Sequence, residues 1–218
     1  EIGPHRVEQP FPKPHQVEFD PSGRFVAVPD KGLDQVLVYE IDAAAGKLKA
    51  VGQPSQAREG AGPRHIAFHP SGQSAYVINE LDSTVTAYRF DSETGQLEPF
   101  QRLSSLPDSF TGNSRASEIA VSPDGRFVYA SNRGYDSIAI FSIDPENWQL
   151  TSAGWQNSEG RTPRFFAIDP NYQRLLVANE DTDTIVPFEI DRSDGSLRKS
   201  GDAVQVGSPV CIIFKPIS

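Results

Sequence analysis

An arginine, two histidines and a glutamate stand close together in GAGPRHIAFHPSGQSAYVINE, residues 60–80. A carboxylate or a neutral imidazole can take a proton from water, and a guanidinium can hold an anion or a developing oxyanion. The glycines invite a phosphate-loop reading, and His65 with His69 invites a metal site. Neither suits its own geometry. No helical pattern follows GAGPRH, as a P-loop or a dinucleotide fingerprint requires. Four residues of a strand span about 13 Å, too far for His65 and His69 to share one ion. The chain contains no H-E-x-x-H and no G-x-S-x-G, so no metal, no cofactor and no serine nucleophile of that type is expected. Arg64 and Glu80 remain, and they need a fold that brings them together.

That fold is written as a repeat. HQVEFDPSGRFVAVPDKGLDQVLVYEID begins at His15, HIAFHPSGQSAYVINELDSTVTAYRFD at His65, EIAVSPDGRFVYASNRGYDSIAIFSID at Glu118 and FFAIDPNYQRLLVANEDTDTIVPFEID at Phe165. A fifth copy, VCIIFKP, starts at Val210 and stops. The turn prolines Pro21, Pro70, Pro123, Pro170 and Pro216 set a period of about 46–53 residues, the length of a four-stranded propeller blade. Each unit reads as a short alternating run, a tight Pro-Ser-Gly-type turn, an apolar run, a third run and a Gly-x-Leu turn into a polar fourth. The expected fold is all-β, a β-propeller of four-stranded antiparallel blades forming a single domain over 1–218. The blades fall at about 12–60, 61–114, 115–160 and 161–207, with 208–218 as the innermost strand of a closing blade. The apolar pairs Val17/Phe19 through Ile212/Phe214 and the small residues opposite them predict first strands buried on both faces.

Composition narrows the partners. Apolar residues make up 37% of 218, enough for a core, and no run reaches a membrane span. A net charge of −9 disfavours a nucleic-acid backbone but leaves room for a small anionic ligand held by local arginines. The single cysteine, Cys211, excludes an internal disulfide framework and sits in an apolar run as a small core residue. With no apolar leader in EIGPHRVEQPFPKP, the expected compartment is the cytoplasm and the expected state a monomer or weak dimer. The absence of methionine and the odd fifth strand suggest a piece of a longer chain.

Aligned on the turn prolines, two slots collect polar residues. Six positions before the proline stand His15, Arg64, Ser117, Arg164 and Val210; ten after it stand Lys31, Glu80, Arg133 and Glu180. The two strands form a hairpin, so the slots end up side by side, at the mouth of a propeller's central channel. Acid and base groups converging there suit a small polar ligand.

PHQVEFDPSGRF, GAGPRHIAFHP, AYVINEL, SPDGRFVYASNR and GSPVCIIF resemble the lactonase family of seven-bladed propellers, over the C-terminal part of its length. Its members include propeller-type 6-phosphogluconolactonases and the carboxy-muconate cyclase. The resemblance implies active-site roles for His15, Arg64, Glu80 and Arg133, which are the slots found by alignment. The expected reaction is hydrolysis of a sugar lactone, with Glu80 or His15 as base and Arg64 and Arg133 holding the oxyanion or a phosphate. A muconate-type lactonizing enzyme and a non-catalytic binding platform are the alternatives. His5, Arg6 and Arg164 are candidate substrate contacts. Arg164 and Glu180 repeat the Arg/Glu pair, more as structure than as site. His65, on the opposite strand face from Arg64, is expected to pack, and Trp148 and Trp155 are expected as packing or edge residues in the outer part of the third blade.

Overall fold

The computed structural model describes residues 2–215, so Pro216 of the fifth repeat lies outside the described residues. The chain forms two compact units, residues 1–104 and 105–218, each of two four-stranded blades. In the first unit, β1 (Glu18–Phe19), β2 (Phe25–Asp30), β3 (Gln35–Asp42) and β4 (Lys47–Ala50) form an antiparallel meander, and β5 (Ser55–Gln56) adds to β3 beyond β4. The next meander is β6 (Pro63–Phe68), β7 (Ser74–Asn79), β8 (Thr84–Phe90) and β9 (Leu97–Ser104). The second unit repeats the plan with β10 (Arg115–Val121), β11 (Phe127–Arg133), β12 (Ser137–Ile143) and β13 (Leu150–Asn157). Its last blade is β14 (Pro163–Ile168), β15 (Arg174–Asn179), β16 (Thr184–Ile190) and β17 (Leu197–Lys199), with β18 (Val204–Gln205) pairing β16.

The apolar runs of the second and third strands form most of the core, joined by Ile66 and Phe166 from first strands. In the first unit Phe25, Val36, Ile66, Val77, Tyr88 and Phe90 close over one another between the two sheets. In the second, Phe127, Tyr129, Ile138, Phe166, Leu175 and Phe188 do the same. Each such side chain, once fully buried, contributes about 1.5–3 kcal/mol. The outer strands β4, β9, β13 and β17 are mostly exposed, as their polar sequences require.

The inner turns follow the sequence with one exception. Gly23, Gly72 and Gly125 take φ near +70° two residues after the turn proline. The matching residue of the fourth blade is Tyr172, at φ 51°. Its strained backbone is held from outside: Arg192 Nε donates to Tyr172 O at 2.8 Å, and the guanidinium lies 4.9 Å over the ring.

A second device follows the second strand in three of the four blades, the second blade having Ser83 in that place. Asp34, Asp136 and Asp183 all adopt positive φ, which aspartate tolerates. Their carbonyls accept from Ala57, Ser158 and Val206 at the end of the blade's outer segment. Their carboxylates reach the lead-in to the next repeat, accepting from the N–H groups of Gly60 and Gly62, of Thr162, and of Ser208.

Three expectations are corrected. β1 is only two residues long, and Val17, just before it, and Phe19, within it, are 62% and 59% exposed rather than packed. Among the described residues no strand follows Gln205, so the strand expected from Val210 is not formed and Ile213 stands 87% exposed. An innermost strand needs a partner ladder for its N–H and C=O groups, and no described residue supplies one there. Cys211 is consequently exposed, not a core residue. A short 3-10 turn at Glu180–Thr182, unforeseen in the pattern, ends the fourth blade's hairpin.

Candidate active site

β6 opens Pro63-Arg64-His65, and its pairing slips at that point. Pro63 faces Asn79 and His65 faces Ile78, so Arg64 is an extra residue in the ladder. Such a bulge re-aims the side chains around it. Arg64 and His65, adjacent in sequence, therefore reach the same cluster, with Arg64 Nη1 3.1 Å from His65 Nε2. The packing role expected for His65 assumed regular alternation, and the bulge overturns it.

Arg64 Nε donates to Glu80 Oε2 at 3.1 Å, across the hairpin as the slot alignment required. Lys31 Nζ donates to Glu80 Oε1 at 3.0 Å and to Glu8 Oε2 at 3.1 Å. Lys31, Arg64 and Glu80 are all buried. Buried charges persist when each finds its opposite, and here two cations meet two carboxylates. Both oxygens of Glu80 are anchored, so it holds Lys31 and Arg64 in place and has little freedom to accept a substrate's proton.

The loop before the first blade closes this end. Gln9, with no exposed surface, donates its amide to Lys31 O at 2.8 Å and accepts from the His5 N–H at 3.1 Å. Gly3 N–H donates to Gly32 O at 2.8 Å. The loop thus wraps the Lys31 backbone and delivers Glu8 to its ammonium. Sequence reading found Lys31 as a slot residue but missed Glu8 and Gln9. A carboxylate and an amide in a proline-rich loop carry no pattern. His5 Nδ1 accepts the Glu8 N–H at 3.0 Å, and both His5 and Arg6 are exposed. Neither makes a hydrogen bond to the cluster.

The first blade contributes His15, fixed by its N–H to Pro29 O at 3.0 Å. Its Nδ1 lies 3.2 Å from His65 Nε2, the two rings tilted by 58° with centroids 5.0 Å apart. Its Nε2 makes no hydrogen bond to any described residue, and the residue is exposed. Partial burial, then the Arg64 guanidinium and His65, push the imidazole down from 6.5 to about 3, while Glu80 acts the other way. His15 is therefore neutral at pH 7.

The glycines of GAGPRH cradle no phosphate. The N–H groups of Gly60 and Gly62 already donate, at 2.7 Å each, to the Asp34 carboxylate. His69 is likewise spoken for, with Nδ1 2.8 Å from Ser71 Oγ inside the turn.

In the second unit, Arg164 Nη1 meets Glu180 Oε2 at 3.5 Å, both partly exposed. The same bulge precedes it, with Pro163 facing Asn179 and Phe165 facing Ala178. Ser117 Oγ donates to Arg164 O at 2.6 Å. Arg133 Nη2 donates to Ala116 O at 3.0 Å, within its own blade. The structure therefore gathers His15, Arg64 and Glu80 in the first unit, while Arg133 and Arg164 belong to the second.

Comparison with known proteins gives a consistent answer. The family described as Lactonase, 7-bladed beta-propeller matches residues 1–214. A 6-phosphogluconolactonase of Bacillus subtilis is 41% identical over 212 residues, 97% of this chain and 60% of that protein. Another of Pectobacterium carotovorum is 36% identical over 84% of this chain and 55% of its own length. Among solved structures, the periplasmic gluconolactonase of Pseudomonas aeruginosa superposes with a TM-score of 0.89 at 33% identity, over 96% of this chain and 59% of that one. The chain thus spans 55–60% of the length of these relatives.

Proposed function

Because the chain belongs to the lactonase family of seven-bladed β-propellers, we propose that its protein hydrolyses a sugar lactone, 6-phosphogluconolactone first among them, to the open hydroxy acid. The observation that carries this reading is the uncommitted Nε2 of a neutral His15 beside the Arg64–His65 pair. The names of the Bacillus and Pectobacterium relatives supply the substrate class.

His15 Nε2 accepts a proton from water as the water oxygen attacks the lactone carbonyl. The carbonyl electrons move onto oxygen, and the Arg64 guanidinium stabilises that oxyanion. The intermediate collapses with cleavage of the ring C–O bond, and His15 returns its proton to the leaving alkoxide. Burial and then Arg64 depress the imidazole's basicity in the free protein. An anionic substrate that neutralises Arg64 raises it, so the base strengthens when substrate is bound. Glu80 acts through Lys31 and Arg64 as a positioning residue. Arg133 keeps, as part of the proposal, the anion-binding role that the resemblance implies, to be tested by its own substitution. The cytoplasm also stays part of the proposal, although the Pseudomonas relative is periplasmic by its name.

The test is a lactonase assay of the full-length protein with 6-phosphogluconolactone and with the unphosphorylated lactone. His15→Gln should lower kcat by about 100-fold or more, the scale of a lost general base. A folded protein that hydrolyses neither lactone, or a His15→Gln variant with full kcat, overturns the reading.

A further inference from the structure

His65 Nε2 faces two nitrogens at once, Arg64 Nη1 at 3.1 Å and His15 Nδ1 at 3.2 Å. A guanidinium nitrogen only donates. His65 Nε2 must therefore present its lone pair to Arg64, which makes His65 a neutral ring with its proton on Nδ1. That assignment leaves no hydrogen on Nε2 to give to His15. Two bare nitrogens 3.2 Å apart would repel, so the contact is stable when His15 Nδ1 carries the hydrogen and donates it. The His15 lone pair is then on Nε2, the ring nitrogen that no described residue hydrogen-bonds.

We infer that His65 is a positioning residue that fixes His15 as its Nδ1–H tautomer, so that Nε2 is bare toward incoming substrate. The orienting partner of a reactive histidine is commonly a carboxylate or a backbone carbonyl. Here a second imidazole fills that place, and Arg64 fixes its own tautomer in turn. The bulge at Arg64 makes the arrangement geometrically available, because it brings adjacent side chains into one cluster. The tautomer assignment stands on hydrogen-bond geometry alone, while its consequence for turnover rests on the lactonase reading above.

Nitrogen-15 NMR of histidine-labelled protein at neutral pH reads the tautomers directly. The four histidine rings are assigned by single substitution. The expected result is that His15 and His65 are both neutral and protonated on Nδ1. His65→Gln keeps an acceptor oxygen near the place of Nε2, whereas His65→Leu removes it. The Gln variant should keep His15 on Nδ1–H, and the Leu variant should let it shift toward Nε2–H. In kinetics, His65→Leu should lower kcat by about 10- to 100-fold, the scale of a lost outer partner, with KM little changed. His65→Gln should recover most of that loss. His15 found as an imidazolium or as Nε2–H in the unmodified protein overturns the inference whatever the substrate proves to be. Correct tautomers with no lactone turnover would instead count against the reaction alone. If Leu and Gln variants lose kcat equally with His15 still on Nδ1–H, His65 does not set the tautomer and the inference fails.

Discussion

In the second blade Arg64 and Glu80 close to 3.1 Å with side chains 3% and 5% exposed; in the fourth, Arg164 and Glu180 stand 3.5 Å apart at 36% and 27%. The two pairs occupy the same slots, follow the same proline and sit at the same bulge. Their neighbours differ. Arg64 has His65 and His15 beside it, and Glu80 has Lys31, itself covered by Glu8 and Gln9. Glu180 instead begins a 3-10 turn. The repeat supplies an arginine facing a glutamate; what surrounds the pair decides whether it is a buried, charge-balanced cluster or a surface contact.

The largest effect should come from breaking the two pairs in parallel. Glu80→Gln removes a buried anion shared by Lys31 and Arg64 and should cost about 3–5 kcal/mol in urea unfolding, together with turnover. Glu180→Gln removes an exposed partner and should cost less than about 1 kcal/mol. Equal losses would erase the distinction between the blades.

A second contrast lies in pH. All four histidines fall in the first unit, and both tryptophans, Trp148 and Trp155, in the second. His15 has its folded value lowered to about 3 from 6.5. Above pH 6.5 it is neutral folded or unfolded, and stability does not depend on it. As pH falls below 6.5 the unfolded chain takes up a proton that the folded ring refuses, so stability declines progressively toward the folded value. Between pH 7 and 5.5, hydrogen exchange in β6 and β7 should report a loosening that His15→Gln abolishes. Tryptophan fluorescence of the second unit should show no matching shift. A tryptophan-reported decline of the same size would mean that the histidines are not its source.

The smallest effect concerns the inner turns. Gly23→Ala meets no atom within 4 Å but keeps φ +71°, so it should cost about 1 kcal/mol from backbone strain alone. A thermal melt checks this.

Much of this was legible in the sequence. The recurring proline-turn hairpins, Pro-Ser-Gly in the second blade and Pro-Asn-Tyr in the fourth, placed Arg64 against Glu80 and Arg164 against Glu180, because a hairpin's register is counted from its turn. His65 was misread because a bulge adds one residue to one strand, and period-two reasoning has no means of registering it. The Pro-Arg at both bulges is the signal that could have shown it. The Asp34 clamp and Glu8 escaped for a different reason: their partners are backbone groups or a lysine far along the chain. Val210 to Phe214 reads as a strand by composition, yet composition cannot supply the second ladder a strand requires.

The aspartate clamps have a consequence for how such a chain can vary. Asp34, Asp136 and Asp183 each tie the end of one repeat's outer segment and the start of the next to a single residue. Whatever length the outer strand and its turn take, the following repeat starts from the same mark. Insertions there are absorbed within one blade and do not accumulate along the chain. The three blades that carry the clamp keep turn-proline spacings of 46–49 residues, and the longest spacing, 53 residues from Pro70 to Pro123, belongs to the second blade, which has Ser83 in that place. New loops could be grafted into the outer turns of the three clamped blades without disturbing the register of His15, Arg64 and Glu80.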